Sequence, residues 1–198
     1  MPTVRLATHH ELPQVGALLA AAFADDPIWN HLSPDAARWN KRAPGWYTAY
    51  ATANHHGPSE VLVDDEVRGA AVWASPGHWR PSLRETLRVA LPSFGLFGRG
   101  TITAMRTLGA VEKCHPRDPE HWYLAILGTH PAHQGHGVGS ALITAITDRC
   151  DEQGLGSYLE SSKEGNVPYY ERHGFVVQER IRPGDGPPMW TMWRDPRA

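Results

Sequence analysis

The stretch WYLAILGTHPAHQGHGVGSALITAI, residues 122–146, decides the fold because three local patterns follow one another in it. Trp122–Leu127 has almost no polar residue, which predicts a strand at the centre of a sheet. Pro131–Gly137 has the composition of a turn. From Val138 to Cys150 the apolar residues recur at helical spacing, which predicts a helix with one buried face. A buried strand therefore leads through a glycine-rich loop directly into a helix.

Three glycines, Gly135, Gly137 and Gly139, lie in the loop before and at the start of this helix. Glycine lets the backbone approach a ligand closely, and a helix N-terminus attracts anions, so the loop can hold a pyrophosphate. A Walker loop is excluded because the loop has no lysine. A dinucleotide-binding loop is disfavoured because this one comes late in the chain and is spaced G-x-G-x-G. An acyl-CoA loop and a simple helix-capping turn remain as interpretations.

Two segments resemble the signature motifs of one enzyme family. His130–Leu142, HPAHQGHGVGSAL, is similar to motif A of the GNAT N-acetyltransferases, and Asn166–Phe175, NVPYYERHGF, is similar to their motif B. The resemblance implies acetyl-CoA as co-substrate, with Tyr170 protonating the leaving thiolate and Tyr169 as the competing neighbour. The implied cofactor-binding residues are Leu127, Gly128, Thr129, Gln134, Gly135, His136, Gly137, Val138, Gly139, Ser140 and Asn166. Since no Arg or Lys stands between the glycines, we expect backbone N–H groups to bind the phosphates.

The base that deprotonates the acceptor ammonium has several candidates. Glu160 ends the short predicted strand Ser157–Glu160, close to the expected active site, although it could also be a strand residue that faces solvent. Asp25 and Asp26 end the first predicted helix, where the acceptor is expected to enter, and aspartates there also stop a helix. A water relay is the remaining alternative. The catalytic pair predicted first is Tyr170 and Glu160.

The order of elements along the chain predicts an α/β, GNAT-like fold. It has a mixed, mostly antiparallel central sheet of about seven strands flanked by helices. We expect one acetyltransferase domain over residues 1–198, with a cofactor half at about 116–198 and a variable acceptor-shaping region at about 28–115. In that region Glu60–Val63 and Val67–Ala74 predict a hairpin, and Trp39–Ala53 predicts a helix with a potential break at Pro44. Pro92–Gly100 predicts a mobile or substrate-shaping loop.

The acceptor is suggested by a closer resemblance. Both ends of the chain, through segments such as AAAFADDP and HWYLAILGTHP, are similar to the aminonucleoside (puromycin) acetyltransferases of the GNAT family. This implies a small-molecule primary amine as acceptor, a puromycin-like aminonucleoside, and a role in antibiotic resistance. The substrate-binding candidates are Asp26, Trp29, Tyr47, Trp73 and Tyr123, whose rings could stack on such an acceptor or pack in the core. The alternatives are acetylation of a protein N-terminus or lysine, and a non-catalytic acyl-CoA sensor.

Composition limits the partners and the location. The 198 residues carry 19 Lys and Arg against 21 Asp and Glu, a net charge of −2 without a basic run, which disfavours nucleic-acid binding. No apolar stretch approaches the ~18 residues of a membrane span, and Met1–Ala7 shows no signal-peptide pattern. We therefore expect a cytoplasmic monomer or homodimer. His130, His133 and His136 lie in a Pro/Gly loop without an adjacent acidic partner, so no metal site is expected.

Overall fold

The computed structural model describes residues 2–55 and 57–197, so Met1, the first residue of the stretch searched for a signal peptide, lies outside the described residues. Its centre is a seven-stranded sheet with the order β1-β2-β3-β4-β5-β7-β6. The strands are β1 Val4–Leu6, β2 Ser59–Asp64, β3 Gly69–Ala74, β4 His121–Thr129, β5 Gly156–Ser161, β6 Val176–Ile181 and β7 Met189–Arg194. β4 and β5 run parallel, and the other five neighbouring pairs are antiparallel. The predicted fold class is confirmed.

Helices cover both faces of the sheet. They are α1 Leu12–Ala22, α2 Pro27–Leu32, α3 Ala36–Asn54, α4 Leu83–Phe97, α5 Thr101–Cys114, α6 Val138–Gln153 and α7 Val167–Glu171. Val61 and Val63 of β2 belong to a core cluster with α1 and α3, whereas Leu62 between them belongs to a second cluster with α6. This alternation is the two-residue period of a strand, and it puts one hydrophobic core on each face.

Two helices of the variable region continue through a proline at which the sequence predicted a break or a loop. Tertiary contacts stabilise these helices despite the proline. α3 continues through Pro44 without a break. α4 continues through Pro92 to Phe97, so the loop predicted from Pro92 to Gly100 is wrong: residues 92–97 are helical, and a 3₁₀ turn covers 98–100. Proline removes one helical hydrogen bond. Leu96 and Phe97 compensate by burial, at 0% and 6% exposure, and the Ser33 hydroxyl donates to the Leu96 carbonyl at 3.1 Å.

The outer sides of α4 and α5 are unusually apolar. Large hydrophobic side chains are exposed there, at Leu83, Leu87, Leu91 and Phe94 on α4 and at Ile102, Met105 and Leu108 on α5. The inner side of α4 packs on α3, where the Trp46 indole donates to the Ser93 hydroxyl at 2.9 Å. Within residues 2–55 and 57–197 no helix combines the length and apolar character of a membrane span.

Candidate active site

The site is built where β4 and β5 separate. The two parallel strands pair as far as Leu124 and Leu159. Beyond this point β4 continues to Thr129 beside β3, while β5 continues to Ser161 beside β7. The register between β3 and β4 shifts here, which leaves Ala125 as the extra residue of a β-bulge that bends β4. The diverging strands open a cleft of about 810 Å³.

The cleft brings together residues that are far apart in the sequence. Those predicted to bind the cofactor and found in its walls are Leu127, Gly128, Thr129, Gln134, Gly135, Gly137, Val138, Gly139, Ser140 and Asn166. The predicted catalytic residues Tyr170 and Glu160 line the same cleft, as do Asp25 and Asp26. One continuous space therefore connects the glycine loop with the candidate acid and the candidate bases.

The glycines of the loop are required for two different physical reasons. Gly135 and Gly137 have φ angles of 79° and 78°, in the left-handed region that favours glycine. A Cβ at either position would meet nothing within 4 Å, so the requirement is conformational. A Cβ on Gly139 would instead lie 2.7 Å from the Tyr169 hydroxyl. Because α6 begins at Val138, its unpaired N–H groups end at this loop and form an anion site.

Of the three histidines of the loop, His133 lines the cleft. His136 is exposed and lies outside the lining of the cleft, and its Nδ1 is 2.9 Å from the carbonyl oxygen of Gln134. The rings of His130 and His133 are 5.8 Å apart. Among the described residues, no group of three or more His, Cys, Asp or Glu side chains is arranged to hold a metal ion. The contribution of His136 to cofactor binding stays a prediction for its backbone.

α7 carries the candidate acid. Tyr170 is 9% exposed, and burial raises its pKa, with Tyr169 and Asp26 raising it further. The phenol therefore keeps its proton at neutral pH, as a proton donor must. Tyr169 also lines the cleft, and burial raises its pKa as well, but its hydroxyl lies over the start of α6 beside Gly139.

A cation in the cleft was not predicted from the sequence. Arg172 follows α7, lines the cleft, and has its guanidinium 5.7 Å from the centre of the Tyr169 ring. Its Nη1 donates to the Pro168 carbonyl at 3.2 Å. The sequence does place a basic residue two positions after Tyr170. Because α7 is short, its C-terminal end lies close to the glycine loop, so this arginine could have been predicted to line the cleft. Phosphate charge can therefore be met by Arg172 as well as by backbone.

The corner between α1 and α2 joins the two sides of the cleft. Asp26 is 2% exposed and accepts the backbone N–H groups of Ile28 and Trp29, at 3.0 and 3.2 Å, as the N-cap of α2. It also accepts the hydroxyl of Ser162, just after β5, and burial raises its pKa despite these bonds. Asp25 pairs with Lys163 at 2.7 Å. The side-chain contacts of Asp26 begin α2 rather than end α1, which stops at Ala22, and α2 was missed because it spans only Pro27–Leu32.

Glu160 lies where the separation of β4 and β5 begins. Its side chain is 4% exposed, so Glu160 is not a strand residue that faces solvent. The Tyr123 hydroxyl donates to Oε2 at 2.8 Å, and His115 Nδ1 lies 3.7 Å from Oε1. His115 directly follows α5 and was not predicted from the sequence, because no spacing relates it to Glu160 among 12 scattered histidines. A buried carboxylate, an imidazole and a phenol thus meet at the inner end of the cleft.

The aromatic side chains predicted to bind the acceptor are mostly part of the core. Trp29 lies 5.5 Å from Tyr47 between ring centres, in a cluster that includes Trp46. Tyr47 and Trp73 are 0% exposed. Trp29, Tyr47 and Trp73 do not line the cleft, because helix and sheet packing covers them. Of the acceptor candidates, Asp26 lines the cleft and Tyr123 reaches it through its hydrogen bond to Glu160.

The comparison with protein families decides the identification. A family model described as the acetyltransferase (GNAT) family matches residues 24–175. This chain belongs to the GNAT acetyltransferase family. The matched range includes both the glycine loop and α7, the two segments whose resemblance predicted the family.

Relatives and solved structures agree with this assignment. An uncharacterized N-acetyltransferase, C550.08, of Schizosaccharomyces pombe is 30% identical, over 93% of this chain and 80% of that protein. The mycothiol acetyltransferase of Paenarthrobacter aurescens is 26% identical over 72% of this chain, which spans 43% of that longer protein. A Corynebacterium glutamicum structure, described as histone acetyltransferase HPA2 and related acetyltransferase, superposes with a TM-score of 0.76 at 26% identity, over 100% of this chain and 97% of that one.

A Drosophila melanogaster polyamine N-acetyltransferase shares the fold alone, with a TM-score of 0.62 at 16% identity over 98% of this chain and 100% of that chain.

The family assignment makes this chain an acyl-CoA-dependent N-acetyltransferase. The cleft fits acetyl-CoA, the co-substrate of the family. Its volume of about 810 Å³ lies within the range of cofactor sites, and the left-handed Gly135 and Gly137 belong to a backbone anion site. Acetyl-CoA supplies the activated thioester, and the protein supplies orientation and proton transfer.

Proposed function

We propose that this acetyltransferase transfers the acetyl group to a primary amine of a small molecule, with Glu160 as the base and Tyr170 as the acid. The single observation that carries this proposal is the burial of the Glu160 carboxylate, which is 4% exposed and lines the cofactor cleft. A buried carboxylate with access to a ligand is suited to remove a proton from an ammonium group at the reaction centre. The raised pKa of Tyr170 suits it to the opposite task.

The proposed chemistry needs two proton transfers by the protein. Glu160 removes one proton from the acceptor ammonium, and the freed lone pair attacks the acetyl carbon. The C–N bond forms as the C–S bond breaks, and Tyr170 donates its proton to the leaving thiolate. The nitrogen loses a second proton as the amide forms. Of the two protons that leave nitrogen, one restores Tyr170 and the other passes to solvent. The separated part of β4, at Leu127–Thr129, orients the thioester for this attack.

Charge and access support a small cationic acceptor. Glu160 lines the cleft and has His115 rather than a lysine or arginine as its ion-pair contact, whereas Asp25 is paired with Lys163. Glu160 is therefore the acidic group best placed to attract an ammonium ion. Of the proteins named above, the mycothiol and polyamine acetyltransferases have names that specify small molecules, and the Corynebacterium glutamicum structure is described as a histone acetyltransferase. The puromycin-like acceptor and the resistance role stay predictions that rest on the resemblance of the chain ends. The proposal does not depend on an aromatic acceptor, since Trp29, Tyr47 and Trp73 lie outside the lining.

A panel of amines tests the substrate class. The protein is mixed with acetyl-CoA and, in separate reactions, puromycin, agmatine, an arylalkylamine, a peptide with a free N-terminus and a lysine-containing histone peptide, and free thiol is measured. We expect thiol release with one or more small amines. Release with the peptides alone would identify a protein acetyltransferase instead. Binding of acetyl-CoA without release for any amine would identify a sensor.

The pH dependence of the reaction tests the base. Glu160→Gln should move the acid limb of the kcat/KM profile to higher pH, because the remaining reaction depends on acceptor that is already deprotonated. Glu152→Gln, an exposed carboxylate on α6, is the matched control and should leave the profile unchanged. An unchanged profile in Glu160→Gln would reject Glu160 as the base and favour Asp25, Asp26 or water.

A further inference from the structure

A chain of three ionisable side chains leads away from the inner end of the cleft. Glu160 Oε1 lies 3.7 Å from His115 Nδ1, and His115 Nε2 lies 3.0 Å from His121 Nε2. His121 Nδ1 in turn lies 2.7 Å from the Pro119 carbonyl oxygen. The side chains of Glu160 and His115 are 4% and 2% exposed. Trp79 stacks on the His115 ring with the ring centres 3.9 Å apart, which fixes the plane of the imidazole.

The hydrogen-bond partners of His121 and His115 determine which ring nitrogen of each carries the hydrogen. A carbonyl oxygen can only accept, so His121 Nδ1 must carry a hydrogen. Burial lowers the pKa of His121, so this ring is neutral and its Nε2 is bare. The Nε2 of His115 must then donate to that bare nitrogen. A neutral His115 therefore presents a bare Nδ1 to Glu160 Oε1.

Two acceptors that face each other in a buried site repel unless a proton lies between them. The other carboxylate oxygen, Oε2, already accepts from Tyr123 and offers no relief. One proton bound by His115 Nδ1 removes the repulsion and balances the buried charge of Glu160 as an ion pair. A second proton would create a net positive charge in the same buried site.

No ionised group packed against Glu160 and His115 among the described residues competes for this proton. The groups that face it from α3, β4 and β5 are Tyr50, Tyr123 and Tyr158, and burial raises the pKa of each, so all are neutral at assay pH. At the end of α5, burial raises the pKa of Cys114, so this thiol is neutral too. Two further charged groups, Arg80 over the Trp79 ring and Glu179 on β6, are exposed to solvent, which screens them.

We propose that Glu160 and His115 act as one proton-accepting pair, in which His115 strengthens Glu160 as the base and His121 holds His115 in the required tautomer. The inference rests on the proposed role of Glu160. The N–H bond of the acceptor ammonium breaks, its electron pair stays on nitrogen, and the proton moves to Glu160 Oε1 and then to His115 Nδ1, where the imidazolium forms an ion pair with the carboxylate at 3.7 Å. His115 and His121 are positioning residues, because they act through Glu160.

Kinetics with matched variants test the pair. His115→Phe leaves Glu160 alone, so the acid limb of kcat/KM should move down by at least one pH unit and the maximal kcat should fall roughly 10-fold or more as the base weakens. His121→Phe removes the acceptor that orients His115 and should move the limb in the same direction by less. His121→Gln, whose carbonyl oxygen can accept from His115, should restore the profile. A purely structural role would lower kcat in all three variants and leave the limb in place, which would overturn the inference.

Nitrogen NMR of histidine-labelled protein tests the pair without turnover. At high pH the His115 ring should show the Nε2–H tautomer. Glu160→Gln should move the midpoint of its titration down by at least one pH unit, because the amide cannot form the ion pair. An Nδ1–H tautomer or an unchanged midpoint would reject the pair even if amine acetylation were demonstrated. A coupled titration together with an inactive amine panel would reject the proposed function and keep the pair.

Discussion

At the scale of single residues, the two proton-transfer groups differ in how far the sequence reveals them. Tyr170 could be predicted because it lies in a short motif, whereas the partner of Glu160 could not. His115 is separated from Glu160 by β4 and α6, and no periodicity connects them. Their contact depends on the order of strands in the sheet and on the end of α5. A local pattern carries information about neighbours along an element, not about such long-range pairs.

The role of Tyr170 gives a prediction at this scale. Tyr170→Phe removes the hydroxyl and keeps the ring, so turnover should fall by roughly 10²–10⁴ while acetyl-CoA binding changes little. Single-turnover kinetics and a separate binding titration measure the two effects. Tyr169→Phe is the matched control and should retain most of the turnover. A Tyr170→Phe enzyme with near-normal turnover would remove Tyr170 from the mechanism.

At the scale of elements, the glycine loop could be predicted from the sequence, but the physical reason for glycine at each of its positions could not. The sequence shows three glycines before and within the start of a helix. The structure separates them into two positions that require a left-handed backbone, Gly135 and Gly137, and one that requires space, Gly139. Gly137→Ala and Gly139→Ala should therefore both weaken acetyl-CoA binding, the first by distorting the anion site and the second by displacing the Tyr169 hydroxyl.

The comparison variant for the loop is His136→Ala. The His136 side chain lies outside the cleft, so its loss should change the acetyl-CoA dissociation constant much less than either glycine substitution. Isothermal titration of the three variants with acetyl-CoA gives the ranking. If His136→Ala proved the weakest binder, binding of the phosphates by backbone groups would be the wrong description.

The path of α4 through Pro92 gives a second prediction at this scale. Proline interrupts a helix interior at a cost of about 3 kcal/mol, whereas in a loop it stabilises the fold by restricting the unfolded chain. Because residues 92–97 are helical, Pro92→Ala should therefore raise the melting temperature. A lower melting temperature would instead indicate the loop expected from composition. Thermal unfolding followed by circular dichroism distinguishes the two signs. The sequence suggested a loop because the burial of Leu96 and Phe97 cannot be read from their neighbours.

At the scale of the whole molecule, the fold class could be predicted from the sequence because it depends on the order of many strands and helices together. Individual errors, such as the missed α2, did not change it. The acceptor region was less predictable, since its aromatic residues serve as core or as ligand contacts according to which helix covers them. Tyr47 and Trp73 are fully buried, and Trp29 is partly buried against the same core as Tyr47.

Acid stability is a property of the whole fold and can be predicted in sign. The hydrogen bond from Arg5 lowers the pKa of Glu11 from 4.5 to about 2, and that from Arg194 lowers the pKa of Asp151. The unfolded chain binds these protons more strongly, so the contribution to the free energy of unfolding is complete above about pH 5 and is lost as pH falls towards 2. Asp26, with a raised pKa, contributes in the opposite direction as pH rises above 3.8.

Urea unfolding at pH 7, 5 and 3 measures this dependence. Glu11→Gln should unfold more easily at pH 7 and should lose less stability than the parent between pH 5 and 3. Glu152→Gln, an exposed carboxylate on α6, should keep the parent slope. Equal slopes for the parent and Glu11→Gln would show that Glu11 is not protonated preferentially in the unfolded chain.

The corner formed by Asp25 and Asp26 has a thermodynamic consequence for the two substrates. Through Lys163 and Ser162 it ties the start of α2 to the segment after β5, so a ligand that tightens one wall of the cleft also restrains the other. Linkage then requires reciprocity: the factor by which acetyl-CoA strengthens acceptor binding equals the factor by which the acceptor strengthens acetyl-CoA binding.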